Sequence, residues 1–253
     1  MNPSAIGQVS RPAEKRAYRE PPVIEALCEL RFRQGASLEP VTEDLFFERI
    51  KERFPRRRRV EPNPQEVERD ARFARTQFLT SSGNVVIQLG PNLLIVNALR
   101  PYPRWGPFKE IVSWSLVQYT TVFDPAALEF VALRYINRIN ADAPFTLEDY
   151  ITIAPRFPDA LPEALSSWTQ SAEAMYKGQG VMRLRAGTVG HSRESAGLLL
   201  DLEFEAVAPL AIGLGPTLQR WMDAAHDEIE SLFEGCITER ARALFHEESP
   251  ANG

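Results

Sequence analysis

The stretch PPVIEALCELRF, residues 21–32, decides the fold, because apolar and charged residues alternate along it with a period of two. In a β-strand, successive side chains point to opposite faces of the sheet. One face of this segment then holds the apolar residues Ile24, Ala26, Cys28, Leu30 and Phe32. The other face carries two carboxylates and, continuing one residue past the stretch, two guanidinium groups, from Glu25, Glu29, Arg31 and Arg33. The pattern predicts a strand with one face against a hydrophobic core and a charged face open to solvent.

The chain divides into two units with the same predicted order of elements, at about residues 21–126 and 127–246. After the first strand, apolar spacing and turn signals predict a helix, three short strands and a second helix, at residues 41–54, 71–80, 84–90, 92–99 and 108–123. The second unit is predicted to contain a strand, a helix, a strand pair and a long last helix, at residues 127–139, 162–177, 180–189, 197–207 and 216 to about 245. Both units follow the order β-α-β-β(-β)-α, which indicates a pseudo-repeat.

The strands of the second unit indicate how sheet and helices are layered. Leu198, Leu200 and Leu202 alternate with the acidic residues Asp201 and Glu203. Such one-sided strands are typical of an antiparallel sheet with one face packed on a core and the other face wet. The sequence therefore predicts an α+β fold, a curved antiparallel sheet covered by helices on one face, with a long C-terminal helix.

Both ends of the chain lack the apolar pattern of residues 21–246, which are predicted to form a single domain. Residues 1–20 are polar and charged, and a segment of this composition does not bury enough apolar surface to offset the entropy of ordering it. We therefore expect a mobile N-terminal tail at residues 1–20 and a disordered C-terminus at residues 247–253.

Composition and charge exclude several classes of protein. The 253 residues carry a net charge of −5, whereas a protein that coats nucleic acid needs a basic surface, so nucleic acid is not expected as a partner. No stretch reaches the roughly 18 uncharged apolar residues of a membrane span, so no membrane partner is expected. The N-terminus lacks the apolar run of a signal peptide. Cys28 and Cys236 are each expected to face the core as reduced thiols, and the protein is expected to be cytoplasmic.

The sequence carries none of the short motifs that mark common cofactor or catalytic sites. GxGxxG after a strand, GxxxxGKS/T, GxSxG, CxxC and HExxH are all absent. We therefore expect no cofactor, no metal and no catalytic residue. His226, beside the apolar stripe of the last helix, is interpreted as a helix-edge histidine bonded to a neighbour, with catalysis as the alternative. The run RRRR at residues 56–59 is interpreted as a solvated loop, with phosphate contact as the alternative.

The strongest candidate site is the charged face of the sheet. In LRYINRI, residues 133–139, alternation places Arg134 and Arg138 on one side of the strand and Asn137 on the other. If this strand lies beside residues 23–33, the two guanidinium groups face Glu25 and Glu29. We predict a ligand- or partner-binding surface of Glu25, Glu29, Arg134, Asn137 and Arg138, in which arginine forks bind an anionic or zwitterionic ligand. The alternative is a ladder of cross-strand ion pairs with no ligand.

Three blocks in this order resemble a known family. PPVIEALCELRF at 21–32, LRYINRI at 133–139 and HDEIESLFEGCITERARALF at 226–245 are similar to the landmarks of a sporadically distributed family of uncharacterised bacterial proteins. The resemblance implies a bacterial origin, a single-domain module and no known cofactor. It assigns no activity to any of the quoted residues.

Two functions of different class follow as expectations. The first is a non-catalytic ligand- or protein-binding module that uses the charged open face of the sheet, with the identity of the partner and the oligomeric state undetermined. The alternative is an enzyme of unrecognised type, or a nuclease-like defence component, that uses Glu25, Glu29, Arg134 and Arg138. A concavity that gathers these four side chains would indicate a site, whereas a spread of surface pairs would indicate scaffold.

Overall fold

A computed structural model of the protein describes residues 16–33, 35–61, 74–141, 146–156, 158, 167–176, 178–192 and 195–248. Within these residues, nine strands form one antiparallel sheet. The strands are β1 Val23–Arg33, β2 Arg56–Val60, β3 Arg75–Leu79, β4 Val85–Gly90, β5 Leu93–Leu99, β6 Ala127–Ala141, β7 Thr169–Tyr176, β8 Gly180–Ser192 and β9 Ser195–Glu205. The α-helices are α1 Pro40–Ile50, α2 Trp105–Phe123, α3 Pro216–Cys236 and α4 Glu239–Ala243.

The strand order reveals two related halves. Across the sheet the order is β2-β3-β4-β5-β1-β6-β9-β8-β7. The first strand of each half, β1 or β6, lies at the centre, and the last strand of the same half lies beside it. The predicted α+β fold with an antiparallel sheet is confirmed. The predicted order β-α-β-β(-β)-α does not hold in the second half, because no α-helix lies between β6 and β7 among the described residues. Register shifts in β1, between Val23 and Glu25 and between Arg31 and Phe32, bend this central strand.

The core lies between the sheet and the helices α2 and α3. Ala26, Cys28 and Leu30 of β1 are completely buried, as the alternation predicts. On α2, the predicted apolar stripe is buried through Phe108, Val112, Leu116, Tyr119 and Phe123. Ile24 departs from the pattern and is only half-buried, while Val23 is buried. The register shift between Val23 and Glu25 explains this change of facing.

The helix at 41–54 is predicted from apolar residues at helical spacing, Val41, Leu45, Phe46, Ile50 and Phe54, and only part of this stripe is buried. Phe46 and Ile50 are buried, but Val41 and Leu45 are 68% and 55% exposed. The buried stripe instead continues through Glu43, whose carboxylate accepts a hydrogen bond from Thr76 at 2.9 Å. Apolar periodicity does not identify an acidic residue as part of a buried face.

The predicted helix 162–177 is wrong where the structure describes it. Residues Thr169–Tyr176 form β7, an edge strand that pairs with β8 from Thr169 opposite Gly187 to Tyr176 opposite Gly180. Alanine, glutamate and methionine favour a helix here, but pairing with the open edge of β8 overrides that weak local preference. Residues 162–166 lie outside the described residues.

The arginine run at 56–59 is a strand and not the predicted loop. Residues Arg56–Val60 form β2 at the other edge of the sheet, paired with β3. Arg57 binds Asp44 at 2.6 Å and also Glu43, and Arg58 donates to Gln77 at 2.7 Å. Charged side chains on an edge strand protect it from pairing with other chains.

The last helix is shorter than predicted. α3 ends at Cys236, and Ile237 has an extended backbone that pairs with Ile151. Thr238 then caps the short helix α4 by accepting a hydrogen bond from the Ala241 amide. Threonine is a strong N-cap residue, so a new helix start here interrupts a continuous apolar stripe.

Parts of both predicted terminal tails pack on the domain. Tyr18, within the predicted mobile tail 1–20, is buried and pairs with Glu247, within the predicted disordered segment 247–253. Residues 16–20 and 247–248 therefore belong to the folded part of the chain, which is a correction to these predicted boundaries. Residues 1–15 and 249–253 lie outside the described residues. In the part of the chain that the structure describes, no helix is long and apolar enough to cross a membrane.

The two cysteine thiols are expected to be unreactive in the native protein. Cys28 is buried on the helix-covered face of β1 and Cys236 at the end of α3, and burial raises the pKa of each to about 12. Because the thiolate is the nucleophile, a thiol reagent such as Ellman's should label neither residue at pH 7.5 until the protein is unfolded. Prompt labelling of Cys28 in the folded protein would contradict the facing of β1.

Candidate functional site

Three of the predicted site residues line one recess on the open face of the sheet. Glu25 lies opposite Ile136, Glu29 lies opposite Ala132, and Arg134 lies between them on β6. Their side chains border a concavity of about 190 Å³, which we call the polar concavity. The remaining lining residues come from β1, β3, β4, β5, β6 and β9: Leu27, Arg75, Gln77, Gln88, Ile95, Asn97, Ala132, Ile136 and Glu203.

A ladder of side-chain amides crosses the floor of the polar concavity. Gln77 donates to Gln88 at 2.9 Å, Gln88 donates to Asn97 at 2.8 Å, and Asn97 donates to the Glu25 carboxylate at 2.5 Å. Each amide both donates and accepts, and the ladder ends on an acceptor-only carboxylate. The amides of β4 and β5 are buried, so this network fixes the position of Glu25. Sequence analysis missed the ladder, although one amide within each otherwise apolar strand was a visible signal.

Arg134 is held by an acid from the neighbouring strand. Its Nε and Nη2 atoms donate to the two carboxylate oxygens of Asp201 on β9, at 2.8 and 2.9 Å. Asp201 is only 3% exposed and also accepts a hydrogen bond from Arg185 at 3.1 Å. A bidentate fork of this kind orients the guanidinium group rigidly. Arg134 therefore places a guanidinium group of fixed orientation, paired with Asp201, at the wall of the polar concavity.

The predicted pairing of Glu29 with Arg138 is wrong. Arg138 lies six residues along β6 from Ala132, the partner of Glu29, which corresponds to about 20 Å along a strand. Arg138 is exposed and donates to Asn140 at 3.1 Å. Alternation assigns a side chain to a face of the sheet, but only the register decides which side chains meet.

Asn137 lies on the helix-covered face, as alternation predicts, and so does not line the polar concavity. It is buried, and its Nδ2 atom donates to the Leu200 carbonyl at 3.2 Å. Of the five residues of the predicted surface, Glu25, Glu29 and Arg134 therefore converge on the polar concavity. Asn137 and Arg138 do not.

Beside the polar concavity, the open face of β8 and β9 is a ladder of ion pairs. Arg183 binds Glu173 and Glu203 at 3.0 and 3.1 Å, and also Glu205. These carboxylates raise the pKa of Arg183 above its ordinary value against the opposing effect of its partial burial. Here the alternative interpretation of the charged face, cross-strand pairs that hold the sheet, describes the arrangement.

A second recess lies on the opposite, helix-covered side of the sheet. It has a volume of about 220 Å³, and we call it the aromatic cavity because five rings border it: Tyr18, Tyr102, Trp105, Tyr135 and Phe233. The hydroxyl groups of Tyr102 and Tyr135 are 2.8 Å apart. Burial raises the pKa of both tyrosines well above the ordinary range, so both are neutral at physiological pH.

His226 of α3 stands at this cavity between two rings. Its imidazole centroid is 4.5 Å from that of Trp105 and 5.8 Å from that of Tyr135. His226, Asp227 and Glu230 each offer one atom that could ligate a metal ion, and these three atoms lie within 4.8 Å of one another. Sequence analysis interpreted His226 as a helix-edge residue and missed the tyrosine pair. The signal was weak, because the two tyrosines come from a loop and a strand that are distant in sequence.

The protein is thus an α+β protein built on one open antiparallel sheet. The polar concavity lies on one face of the sheet, and the aromatic cavity lies on the other face, under the helices. No family model matches the chain, and no curated protein sequence is significantly similar to it.

Proposed function

We propose that the protein is a non-catalytic binding module whose polar concavity holds a small zwitterionic ligand. The observation that carries this proposal is the convergence of Glu25, Glu29 and Arg134 on one recess. A recess of about 190 Å³ is smaller than the sites of drug-sized ligands, which supports a ligand of amino-acid size.

Arg75 supplies a second cationic group with an unused donor. It lines the polar concavity, and its buried Nε atom has no hydrogen-bond partner among the described residues. A buried donor without an acceptor is costly, so it marks a place where a ligand acceptor would be stabilised. Arg75 and Arg134 together suit a ligand carboxylate, and Glu25 and Glu29 suit a ligand ammonium group.

The lining supports binding better than catalysis. Among the described residues that border the polar concavity, there is no histidine, cysteine, serine, threonine, lysine or tyrosine to act as a nucleophile or proton shuttle. Glu25 accepts a hydrogen bond from Asn97 and Glu29 accepts one from Arg31, both at 2.5 Å, and these contacts fix the position of each carboxylate at the recess. The alternative of an enzyme that also uses Arg138 loses support because Arg138 is not among the lining residues.

The proposal is tested by calorimetric titration of the full chain with L-glutamine, whose side-chain amide also suits the amide ladder. We expect L-glutamine to bind, and N-acetyl-L-glutamine and L-glutamine α-amide to bind at least about tenfold more weakly, because each lacks one charged group. Replacement of Arg75 by methionine removes a charged hydrogen bond worth about 1.5–3 kcal/mol, or roughly 10- to 100-fold in affinity.

Arg138→Met is the matched control, because Arg138 lies on the same face of the sheet outside the polar concavity. It should leave the affinity for L-glutamine unchanged. Equal binding of L-glutamine and its two singly charged derivatives, or an equal loss of affinity in Arg75→Met and Arg138→Met, would show that the polar concavity does not recognise a zwitterion. Absence of any binding by L-glutamine at millimolar concentration would also contradict the proposal.

A further inference from the structure

The aromatic cavity is independent of the polar concavity and is built from segments that meet only in the fold. Tyr102 comes from the loop before α2 and Trp105 from the start of α2. Tyr135 comes from β6, and Glu230 comes from α3. The rings of Tyr102 and Tyr135 meet edge to face, with centroids 5.6 Å apart. Trp105 is fixed on the other side by a hydrogen bond from its indole nitrogen to Asp223 at 3.1 Å. These contacts hold the rings in fixed positions around the cavity.

Arg16, Arg104 and Glu234, which also border the cavity, have partners of opposite charge within the chain. At the rim, Arg16 pairs with Glu247 at 3.2 Å, and Arg104 forms two hydrogen bonds with Glu248. On the inner side, Glu234 accepts hydrogen bonds from Tyr18 at 2.7 Å and Arg242 at 2.9 Å. These pairs hold the rim and the inner wall of the cavity in place.

Glu230 adds a carboxylate to the lining of the cavity. Its carboxylate contributes to the raised pKa of both Tyr102 and Tyr135, after the larger effect of burial. Its negative charge therefore acts on the hydroxyl pair inside the cavity. With Asp227 close by, the group around His226 carries two carboxylates and one imidazole. The cavity thus combines a lining carboxylate with a wall of aromatic rings, a residue type whose faces carry partial negative charge.

The tyrosine pair adds one directional contact. Two hydroxyl groups 2.8 Å apart have two protons, and only one proton is needed for the bond between them. The second hydroxyl proton can be donated to a ligand oxygen or to a nearby carboxylate. A ligand with both a cationic centre and a hydroxyl group fits this combination.

We propose that the aromatic cavity binds a small organic cation, a substituted ammonium group with an apolar body, against Glu230 and the rings of Tyr102, Trp105 and Tyr135. Aromatic faces attract a cation through the ring quadrupole, and cages of this composition are suited to alkylated ammonium groups. A volume of about 220 Å³ is appropriate to a compact molecule of this class. The competing occupant is a divalent metal ion held by His226, Asp227 and Glu230.

The test uses the full chain and two probes of the same shape, choline and its neutral isostere 3,3-dimethylbutan-1-ol. We expect choline to give a saturable calorimetric signal and to change the tryptophan fluorescence, and the neutral alcohol to bind about tenfold more weakly or not at all. Glu230→Gln should weaken choline binding by about tenfold or more. Glu228→Gln is the matched control, since Glu228 is on the same helix and does not line the cavity, and it should bind choline normally.

Three results would overturn the proposal: no choline binding at concentrations up to tens of millimolar, equal affinity for choline and the neutral alcohol, or Zn²⁺ binding at micromolar concentration that blocks choline and is lost in Asp227→Asn. The last result would assign the cluster to a metal. Trp105→Phe retains a ring and should bind choline more weakly than the wild type. Trp105→Leu has no ring and should bind choline most weakly. Circular dichroism establishes that each variant is folded. Arg75→Met should bind choline normally, which separates this inference from the proposed function of the polar concavity.

Discussion

Replacement of Arg134 by methionine is expected to lower the free energy of unfolding by about 3 kcal/mol or more. The substitution removes the fork that holds both carboxylate oxygens of Asp201 at 2.8 and 2.9 Å. Asp201 is 3% exposed, so its charge remains buried after the fork is lost. Breaking a buried ion pair from one side costs about 3–5 kcal/mol because the remaining charge is poorly compensated. Arg185, which also binds Asp201, keeps the expected loss near the lower end of this range.

Arg138→Met provides the comparison for this prediction. It removes an arginine from the same strand and the same face, but from an exposed position whose observed partner is Asn140. Exposed polar contacts contribute at most about 1 kcal/mol, so this variant should be nearly as stable as the wild type. Urea denaturation at pH 7 without added ligand measures both values. Equal stability of the two variants would mean that the Arg134–Asp201 pair is not buried in solution.

Only part of the charged face could be predicted from the sequence. Periodicity assigned Glu25, Glu29, Arg134 and Arg138 to the open face because a strand has only two faces. It did not contain the register that places Glu29 opposite Ala132 and Asp201 beside Arg134. Register depends on pairing between segments that are distant in sequence, 67 residues apart for Arg134 and Asp201, and no local pattern encodes it.

The fold was predictable where one signal dominated, and the errors occurred where two signals competed. The strand pattern of residues 21–32 and the stripe on α2 are strong and agree with their surroundings. At Thr169–Tyr176 the local preference for a helix opposes pairing with β8, and the pairing prevails. At residues 237–238 an apolar stripe opposes a good N-cap, and the cap divides the helix.

Neither recess was predictable in full, because each is lined by residues from several elements. The polar concavity was predicted only in part: alternation identifies Glu25, Glu29 and Arg134, three of its twelve lining residues. Its amide ladder needs the adjacency of β3, β4, β5 and β1, which follows only from the strand order. The aromatic cavity brings together Tyr18, Tyr135 and His226, and nothing in their sequence positions links them.

Tyr18→Ala is the second change with a large expected effect, a loss of about 3–5 kcal/mol in the free energy of unfolding. Tyr18 is buried, packs edge to face on Phe245 with ring centroids 5.5 Å apart, and donates to the buried Glu234 carboxylate at 2.7 Å. The alanine variant loses the ring contacts and leaves Glu234 with one donor fewer. Sequence analysis placed this residue in a mobile tail because a single tyrosine among polar residues forms no pattern.

Tyr18→Phe separates the hydrogen bond from the packing. It retains the ring and removes the donor, and a hydrogen bond to a charged group contributes about 1.5–3 kcal/mol. Burial, with a further contribution from Glu234, raises the pKa of Tyr18 above its ordinary value. A group whose folded pKa is raised stabilises the protein fully below its unfolded pKa, about 10 for tyrosine, and this stabilisation is lost as the pH rises further. The stability difference between wild type and Tyr18→Phe should therefore shrink above about pH 10.

Deletion of residues 1–15 tests whether the N-terminal segment stabilises the fold through Tyr18 or through the residues that precede it. This deletion retains Tyr18 and its contacts, and residues 1–15 carry no apolar pattern in sequence, so the melting temperature should stay within about two degrees of the wild type. Deletion of residues 1–20 removes Tyr18 and should be as damaging as Tyr18→Ala. Differential scanning calorimetry of the two deletions and the two point variants tests this ordering. If Tyr18→Ala costs under about 1 kcal/mol, the segment is not docked in solution, and the aromatic cavity loses the wall that Tyr18 provides.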